Sequence, residues 1–218
     1  MSTPLLKRFL LAASLVLSVL TASAQSMQEF FSKSDVPLTW MGADFSGVKY
    51  SGDAGTVTAE EMVGLFEKIN TLLVQEQKKY DFAGAYHRTT PVAYTPSITQ
   101  GVNAKTNAVN LITLDVNPQG RFTAETVQQM VKKYAYPAGA SGVGLVFVME
   151  DLMKPTETAT FWATFVDLKT KKVLYTEKLS GKALGFGFRN HWAGAIYDAL
   201  KDIKAKKYGE WKKRFAKS

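Results

Sequence analysis

The stretch GKALGFGFRNHW, residues 181–192, sets Arg189, Asn190 and His191 among three aromatic residues, just after Gly185 and Gly187. A glycine-flanked helix start exposes backbone N–H groups and can hold an anion. Arg189 and His191 would add positive charge and an imidazole to such a site, so Arg189, Asn190 and His191 are the candidate ligand-binding residues. The same dozen residues also read as a structural corner. Glycine is used where φ is positive or where backbone approaches backbone, and Asn190 is a favourable N-cap type. Arg189 can pair with a sheet-end carboxylate such as Asp167, while Phe186, Phe188 and Trp192 close the end of a core. The corner made by Gly185, Phe186, Gly187, Phe188 and Trp192 needs no ligand, and it is the preferred expectation. The dinucleotide fingerprint is absent, because Asn190 stands where the third glycine belongs, and no phosphate-binding G-x-x-x-x-G-K-[ST] occurs.

Other chemistries find little support. The chain has no cysteine, which removes thiolate catalysis, thiolate metal sites and disulfide exchange. Its two histidines, His87 and His191, are far apart and form no H-x-x-x-H or H-E-x-x-H pattern, so no metal ligand is assigned. SGDAG, with Asp53 as its one acid, reads as a turn and not a calcium loop. Ser141 lies in a glycine nest but precedes a strand, the reverse of a nucleophile elbow. A triad of Ser141, His191 and an aspartate is disfavoured. Glu150 and Asp151 are adjacent on a strand, where alternation points them apart, so they make no glycosidase pair. No catalytic residue and no cofactor is expected.

The start of the chain indicates where the protein works. Lys7 and Arg8 precede FLLAASLVLSVL, Phe9 to Leu20, which is followed by TASAQ with Ala22 and Ala24 at signal-peptidase spacing. This is the pattern of a secretory signal peptide over residues 1–24. The run is short of the roughly 20 residues that a spanning helix needs. The expectation is a secreted or periplasmic protein, not a lipoprotein, with no membrane-spanning segment after cleavage. One domain is expected over residues 25–208, followed by a basic tail at 209–218.

The formal charge is +8, but it is unevenly placed. Residues 201–218 hold eight basic and two acidic residues, whereas residues 25–200 hold 17 of each. The basic end, with Lys206, Lys207, Lys212, Lys213 and Arg214, has two readings. It is either a contact for an anionic surface, lipid or polysaccharide, or a solvated helix end whose cations complement the helix dipole. Export and the lack of a basic groove argue against nucleic acid.

The elements that position these residues follow from periodicity. A first strand and a turn or second strand are expected within Pro37–Tyr50. A helix follows from Val57, with Met62, Leu65, Phe66, Ile69, Leu72 and Leu73 on one face and a Thr58/Glu61 capping box. Residues 81–108 read as irregular, with a strand near Ala85–Arg88. Ala108–Val116 reads as a buried strand. A second helix is capped by Thr123 and buries Val127, Met130, Val131 and Tyr134. Val143–Glu150 is apolar on both faces and is therefore a central strand. Thr158–Leu168 and Val173–Gly181 follow as strands. A last helix starts near Asn190, with Trp192, Ile196, Leu200 and Ile203 on its buried face.

GLVFVMEDLMK, FWATFVDLKTKKVL and GFGFRNHWAGAIY together resemble an uncharacterised family of exported bacterial proteins with a C-terminal G-F-G-F-R-N-x-W signature. The resemblance covers roughly Val143–Tyr208 and implies a compartment but no activity. FVDLKTKKVLYTEKLSG is distantly similar to the hairpin of periplasmic α/β domains of the curli-secretion and TolB amino-terminal type, which bears on fold class alone. The expected fold is α+β, in two or three layers. It has a mixed sheet with an antiparallel three-strand unit at its C-terminal end and three main helices packed on it. The expected function is a non-catalytic binding or assembly module of the bacterial envelope, with an envelope protein or an anionic surface as partner. The alternative is a hydrolase-like enzyme with a site near Arg189 and His191.

Overall fold

The computed structural model describes residues 27–115 and 120–217. The predicted signal peptide and Val116 lie outside these residues. A helical turn over residues 27–32 (α1) leads into β1 (Leu38–Asp44) and β2 (Lys49–Ser51). Next come α2 (Ala59–Gln75), α3 (Phe82–Ala85), β3 (Ala93–Tyr94), α4 (Ser97–Asn103) and β4 (Ile112–Thr113). The chain ends with α5 (Ala124–Val131), β5 (Val143–Met153), β6 (Thr158–Asp167), β7 (Lys172–Lys182), α6 (Phe188–Asp202) and α7 (Tyr208–Phe215).

All seven strands form one mixed sheet. β1 and β2 both pair in parallel with β5, the first along its start and the second along its end. They behave as one strand interrupted by residues 45–48. β3 and β4 extend this broken row, each in parallel with its neighbour. β6 is antiparallel to β5, and β7 is antiparallel to β6. The antiparallel strands are therefore not a separate unit, because β5 belongs equally to the parallel half.

β5 is buried from Val143 to Leu152. It sends Leu145, Phe147 and Met149 into one core and Val146 and Val148 into another. The larger core is covered by α1, α2, α3, α6 and α7, and the smaller one by α4 and α5. This gives three layers.

The interruption in the β1/β2 row leaves backbone groups without sheet partners, and side chains replace them. Asn70 of α2 accepts from Ala43 N at 2.7 Å and donates to Ala43 O at 2.9 Å. Asn103 of α4 accepts from Phe45 N at 2.7 Å and also donates to Ala43 O, at 3.0 Å. Thr99 donates to Met41 O at 3.0 Å. A buried backbone group without a partner costs about 1–3 kcal/mol, so these polar residues are what permits the break.

Several expectations meet the structure directly. The Thr58/Glu61 capping box is present, at 3.2 and 2.8 Å. Thr123 caps α5. Residues 85–88 are not a strand: α3 ends at Ala85 and His87 takes φ 52°. Residues 108–113 are not a buried strand either. Ala108–Asn110 is a turn of 3-10 helix and β4 is two residues long. Only Leu111 of that run is buried, while Val109 and Leu114 face solvent. The physical reason is position: β4 lies at the end of the broken row and pairs with β2 alone.

The basic end is not a free tail. α6 continues through a π-helical segment, Ile203–Lys207, into α7. Its buried positions step by three and four through Trp192, Ile196, Leu200 and Ile203, then by five to Tyr208, then again to Trp211 and Phe215. The one-residue insertion of the π turn keeps both halves on the core. Phe31 of α1 stacks on Phe215 at 5.3 Å and meets Tyr208 and Trp211. Arg88, 7% exposed, ties α1 to the start of α7. It donates to Phe30 O and Lys33 O at 3.0 and 2.8 Å and to Tyr208 Oη at 2.8 Å. Its charge is thus set against carbonyls at the end of α1, where the helix dipole is negative.

Candidate functional site

The carboxyl ends of β2 and β5 point to one pole of the molecule, and β7 runs the same way. Ligands of open α/β sheets bind beyond such strand ends. A groove of about 430 Å³ opens there. Tyr50, Ala54 and Val57 form one wall, and Lys154 and Glu157 of the β5–β6 turn form another. The third wall is the β7–α6 connection, from Ala183 to Phe188, with His191 and Trp192 behind it. The groove is therefore built largely from the glycine–aromatic stretch.

That stretch does not close the core as expected. Phe186 is 96% exposed and Leu184 is 55% exposed. Trp192 is buried, and Phe188 is half-buried between Tyr50 and Phe66. Two aromatics therefore hold the floor while a third stands in water at the rim. Gly185 and Gly187 take φ of 115° and 74°, a region closed to most side chains. The seating of α6 falls on two other glycines. A Cβ at Gly181 would stand 2.0 Å from Ala195 O, and one at Gly194 would stand 2.1 Å from Leu184 O. Those contacts bring α6 against the end of β7, and Leu184 N donates to His191 O at 3.1 Å.

The candidate ligand residues separate. His191 lines the groove; Arg189 and Asn190 do not. Arg189 Nε donates to Asn190 Oδ1 at 3.0 Å, and no ion pair joins Arg189 to Asp167 among the described residues. The N-cap of α6 is Gly187 and not Asn190, and no side chain caps the helix. His191 Nδ1 sits 3.3 Å from Gly185 O. A carbonyl can only accept, so Nδ1 carries the proton in this contact. Nε2 is buried and has no hydrogen-bond partner among the described residues.

The groove lining contains no serine, threonine or cysteine, and Glu157 is its one carboxylate. Glu157 pairs with Lys154 at 3.4 Å. Ser141 precedes β5, whereas His191 is at the pole where β5 ends. At about 3.3 Å per residue the length of that strand keeps them apart, so the triad does not form. Among the described residues no group of three or more metal-ligating side chains occurs.

A second cluster of ionisable groups is structural. Glu150 is fully buried. It accepts from Lys178 Nζ at 2.7 Å, Trp162 Nε1 at 3.1 Å, Phe122 N at 2.8 Å and Arg121 N. Burial pushes its carboxyl up, but the Lys178, Phe122 and Trp162 donors outweigh that and hold it below its ordinary value. Arg121 meets Asp151 at 3.3 Å. Asp44 accepts from Tyr134 Oη at 2.6 Å and from Ser46 N at 2.8 Å, and burial raises its pKa. The four donors on Glu150 leave it no free lone pair for chemistry.

The five basic residues assigned to an anionic surface also divide. Lys207 is tied to Glu177 and Glu210, at 2.9 and 3.0 Å, and Arg214 reaches Glu177 and Tyr175 Oη. Lys206, Lys212 and Lys213 are exposed. Sequence reasoning missed Tyr50, Lys154, Glu157 and Leu184, which no motif marks. The signal for Gly181 and Gly194 was present: each is a glycine inside a strand or helix pattern.

No protein-family model and no curated protein matches the chain. Among solved structures, the LpoB C-terminal domain from Salmonella enterica aligns over 73% of this chain and 98% of that one, at 10% identity and a TM-score of 0.26. No helix among the described residues is long and apolar enough to cross a membrane.

Proposed function

We propose that the protein is a non-catalytic binding module of the bacterial envelope, and that it binds through the groove bordered by Phe186. The observation that carries this reading is the 96% exposure of Phe186 beside a groove of about 430 Å³. A large aromatic held in water on a glycine-flanked loop contributes nothing to the core. Such residues gain stability only when a partner covers them. The apolar floor of Tyr50, Phe188 and Trp192 suits an aromatic or aliphatic group, and Lys154 and Glu157 supply polar contacts at the edge. The hydrolase-like alternative loses support because the groove lining holds no serine, threonine or cysteine and Arg189 lies outside it.

Phe186→Ala separates a binding residue from a structural one. The reading expects the stability of Phe186→Ala to stay within about 0.5 kcal/mol of the parent in urea unfolding, whereas Trp192→Ala loses about 3–5 kcal/mol. Anilinonaphthalene sulfonate, an aromatic anion that reports on apolar grooves, should bind the folded parent at one site and bind Phe186→Ala at least several-fold more weakly. A drop in stability comparable to that of Trp192→Ala, or dye binding untouched by the substitution, defeats the reading.

A further inference from the structure

The sheet has two free sides, and they are guarded differently. On one side stand β3 and β4, each two residues long. Short edge strands are one way in which a fold avoids pairing with other chains. On the other side stands β7, 11 residues long and paired only with β6. The direction of its hydrogen-bonding groups follows from its end. Ala183 N donates to Glu157 O, in line with β6, whereas Lys182 N donates to Asp198 Oδ2 at 2.9 Å, on the side away from β6. Successive residues of a strand alternate in this respect. Ser180, Lys178 and Thr176 therefore turn their N–H and C=O groups outward.

Side chains clamp both ends of this edge. Gln128 of α5 accepts from Val173 N at 2.8 Å and donates to Lys171 O at 3.2 Å, and Asp198 of α6 holds Lys182 N. Between the clamps, among the described residues, no side chain takes the outward groups of Thr176, Lys178 and Ser180. A cavity of about 340 Å³ opens there, with Lys178, Leu179 and Ser180 on one side and Ala199, Asp202 and Lys207 on the other. Charges do not guard the gap either. Lys178 is drawn back to Glu150 at 2.7 Å, and Glu177 to Lys207 at 2.9 Å.

We infer that a second copy of this chain covers this edge, with β7 pairing antiparallel to β7 about Leu179. The register follows from charge and geometry. Outward residues pair only with outward residues. A two-fold centre at Glu177 or Lys178 would set a like charge directly opposite itself, and one at Ser180 would set Lys178 opposite Lys182, all of which are unfavourable. A centre at Thr176 would carry Lys178 onto the irregular step between Val173 and Tyr175. The centre at Leu179 has neither fault. Lys178 then faces Ser180 of the second copy, Glu177 faces Gly181 of the second copy, and the two Leu179 side chains meet beside Ala199. Lys178 and Ser180 exchange both N–H···O bonds on each side of the two-fold, and Asp198 ends the ladder at Lys182. One sheet then runs through both copies, with the two Phe186 grooves at opposite ends of the paired strands. The pairing uses neither Phe186 nor His191, so its failure would leave the groove reading standing.

The experiment is sedimentation equilibrium of the protein beside its Ser180→Pro variant. Ser180 is exposed and its N–H faces outward, so proline there removes no bond within the chain. It removes two bonds across the interface, one from each copy, which loosens the dimer by at least about tenfold. The parent is expected to equilibrate between one and two chain masses, and Ser180→Pro to stay near one over the same concentrations. The register has its own test, because the chain has no cysteine of its own. Directly opposed residues of a non-hydrogen-bonded pair have Cα atoms about 4.5 Å apart, within the span of a disulfide. Leu179→Cys should therefore oxidise to a cross-linked dimer. Lys172→Cys, exposed on the same strand but outside the ladder, should not. Circular dichroism and dye binding in the groove check that each variant folds. A parent that stays monomeric up to about millimolar concentration overturns the inference and leaves the edge to a strand of another protein. So does a dimer that Ser180→Pro leaves intact, or a Lys172→Cys that cross-links as fast as Leu179→Cys.

Discussion

Glu150 and Phe186 mark two extremes of what a single residue does here. Glu150 is a fully buried carboxylate with four donors, including Lys178 and Trp162. The amide of Glu150→Gln would turn a donor towards groups that are themselves donors. Removing one partner of a buried ion pair costs about 3–5 kcal/mol, and less when the other can reach water. Lys178 is 37% exposed, so about 2 kcal/mol is expected, read as a lower urea midpoint at an unchanged slope. Phe186 is the reverse case, with almost no buried surface to lose. Asn103 belongs with Glu150: Asn103→Ala strips Phe45 N of its side-chain partner inside the core and leaves Ala43 O to Asn70 alone.

At the scale of elements, the controlling contact is α6 against the end of β7. Gly194→Ala forces a methyl group to 2.1 Å from Leu184 O, and neither backbone can yield without lifting the helix. The expected cost is about 3 kcal/mol, accompanied by weaker dye binding, because Leu184 and His191 both border the groove. Gly64→Ala is the control. It sits inside α2, where a Cβ meets nothing within 4 Å, and it should stabilise by about 0.5–1 kcal/mol. Thermal unfolding of the two variants side by side separates crowding from helix propensity. The π turn at Ile203–Lys207 belongs to the same scale. It shifts the buried stripe by one residue, so that α7 can follow α6 on the core.

For the whole molecule, the decisive link is the docking of α7, which packs on α1 at the pole away from the groove. Glu177 of β7 accepts from Trp211 Nε1 at 2.7 Å, from Lys207 at 2.9 Å and from Tyr175 Oη. Burial pushes its pKa up, but these hydrogen bonds outweigh that and leave it below the ordinary glutamate value. A carboxylate with a depressed folded pKa stabilises the fold above its unfolded pKa of about 4.3. That contribution is lost as pH falls through the folded value. Tryptophan emission should therefore report release of α7 as the pH drops below about 4, and Glu177→Gln should flatten that part of the stability curve. Asp44 acts in the opposite sense. Its pKa is raised, so its contribution is greatest at low pH and declines as pH rises through its folded value.

The sequence by itself determined the elements whose pattern is local: α2 with its capping box, α5 behind Thr123, the doubly apolar β5 and the buried stripe of α6. It also held the five-residue step from Ile203 to Tyr208, which marks the π turn. Tertiary structure decided everything that depends on which strands are neighbours. An apolar run such as 108–114 looks like a core strand until its place at the end of a broken row leaves Val109 and Leu114 in water. GFGFRNHW looks like a closed corner until Gly181 and Gly194 take over the seating of α6 and leave Phe186 exposed. Lys154 and Glu157 join the groove only because the β5–β6 turn folds to the same pole. Periodicity records which side of an element is buried against something, whereas burial itself is set by partners distant in sequence, and no local pattern names those partners.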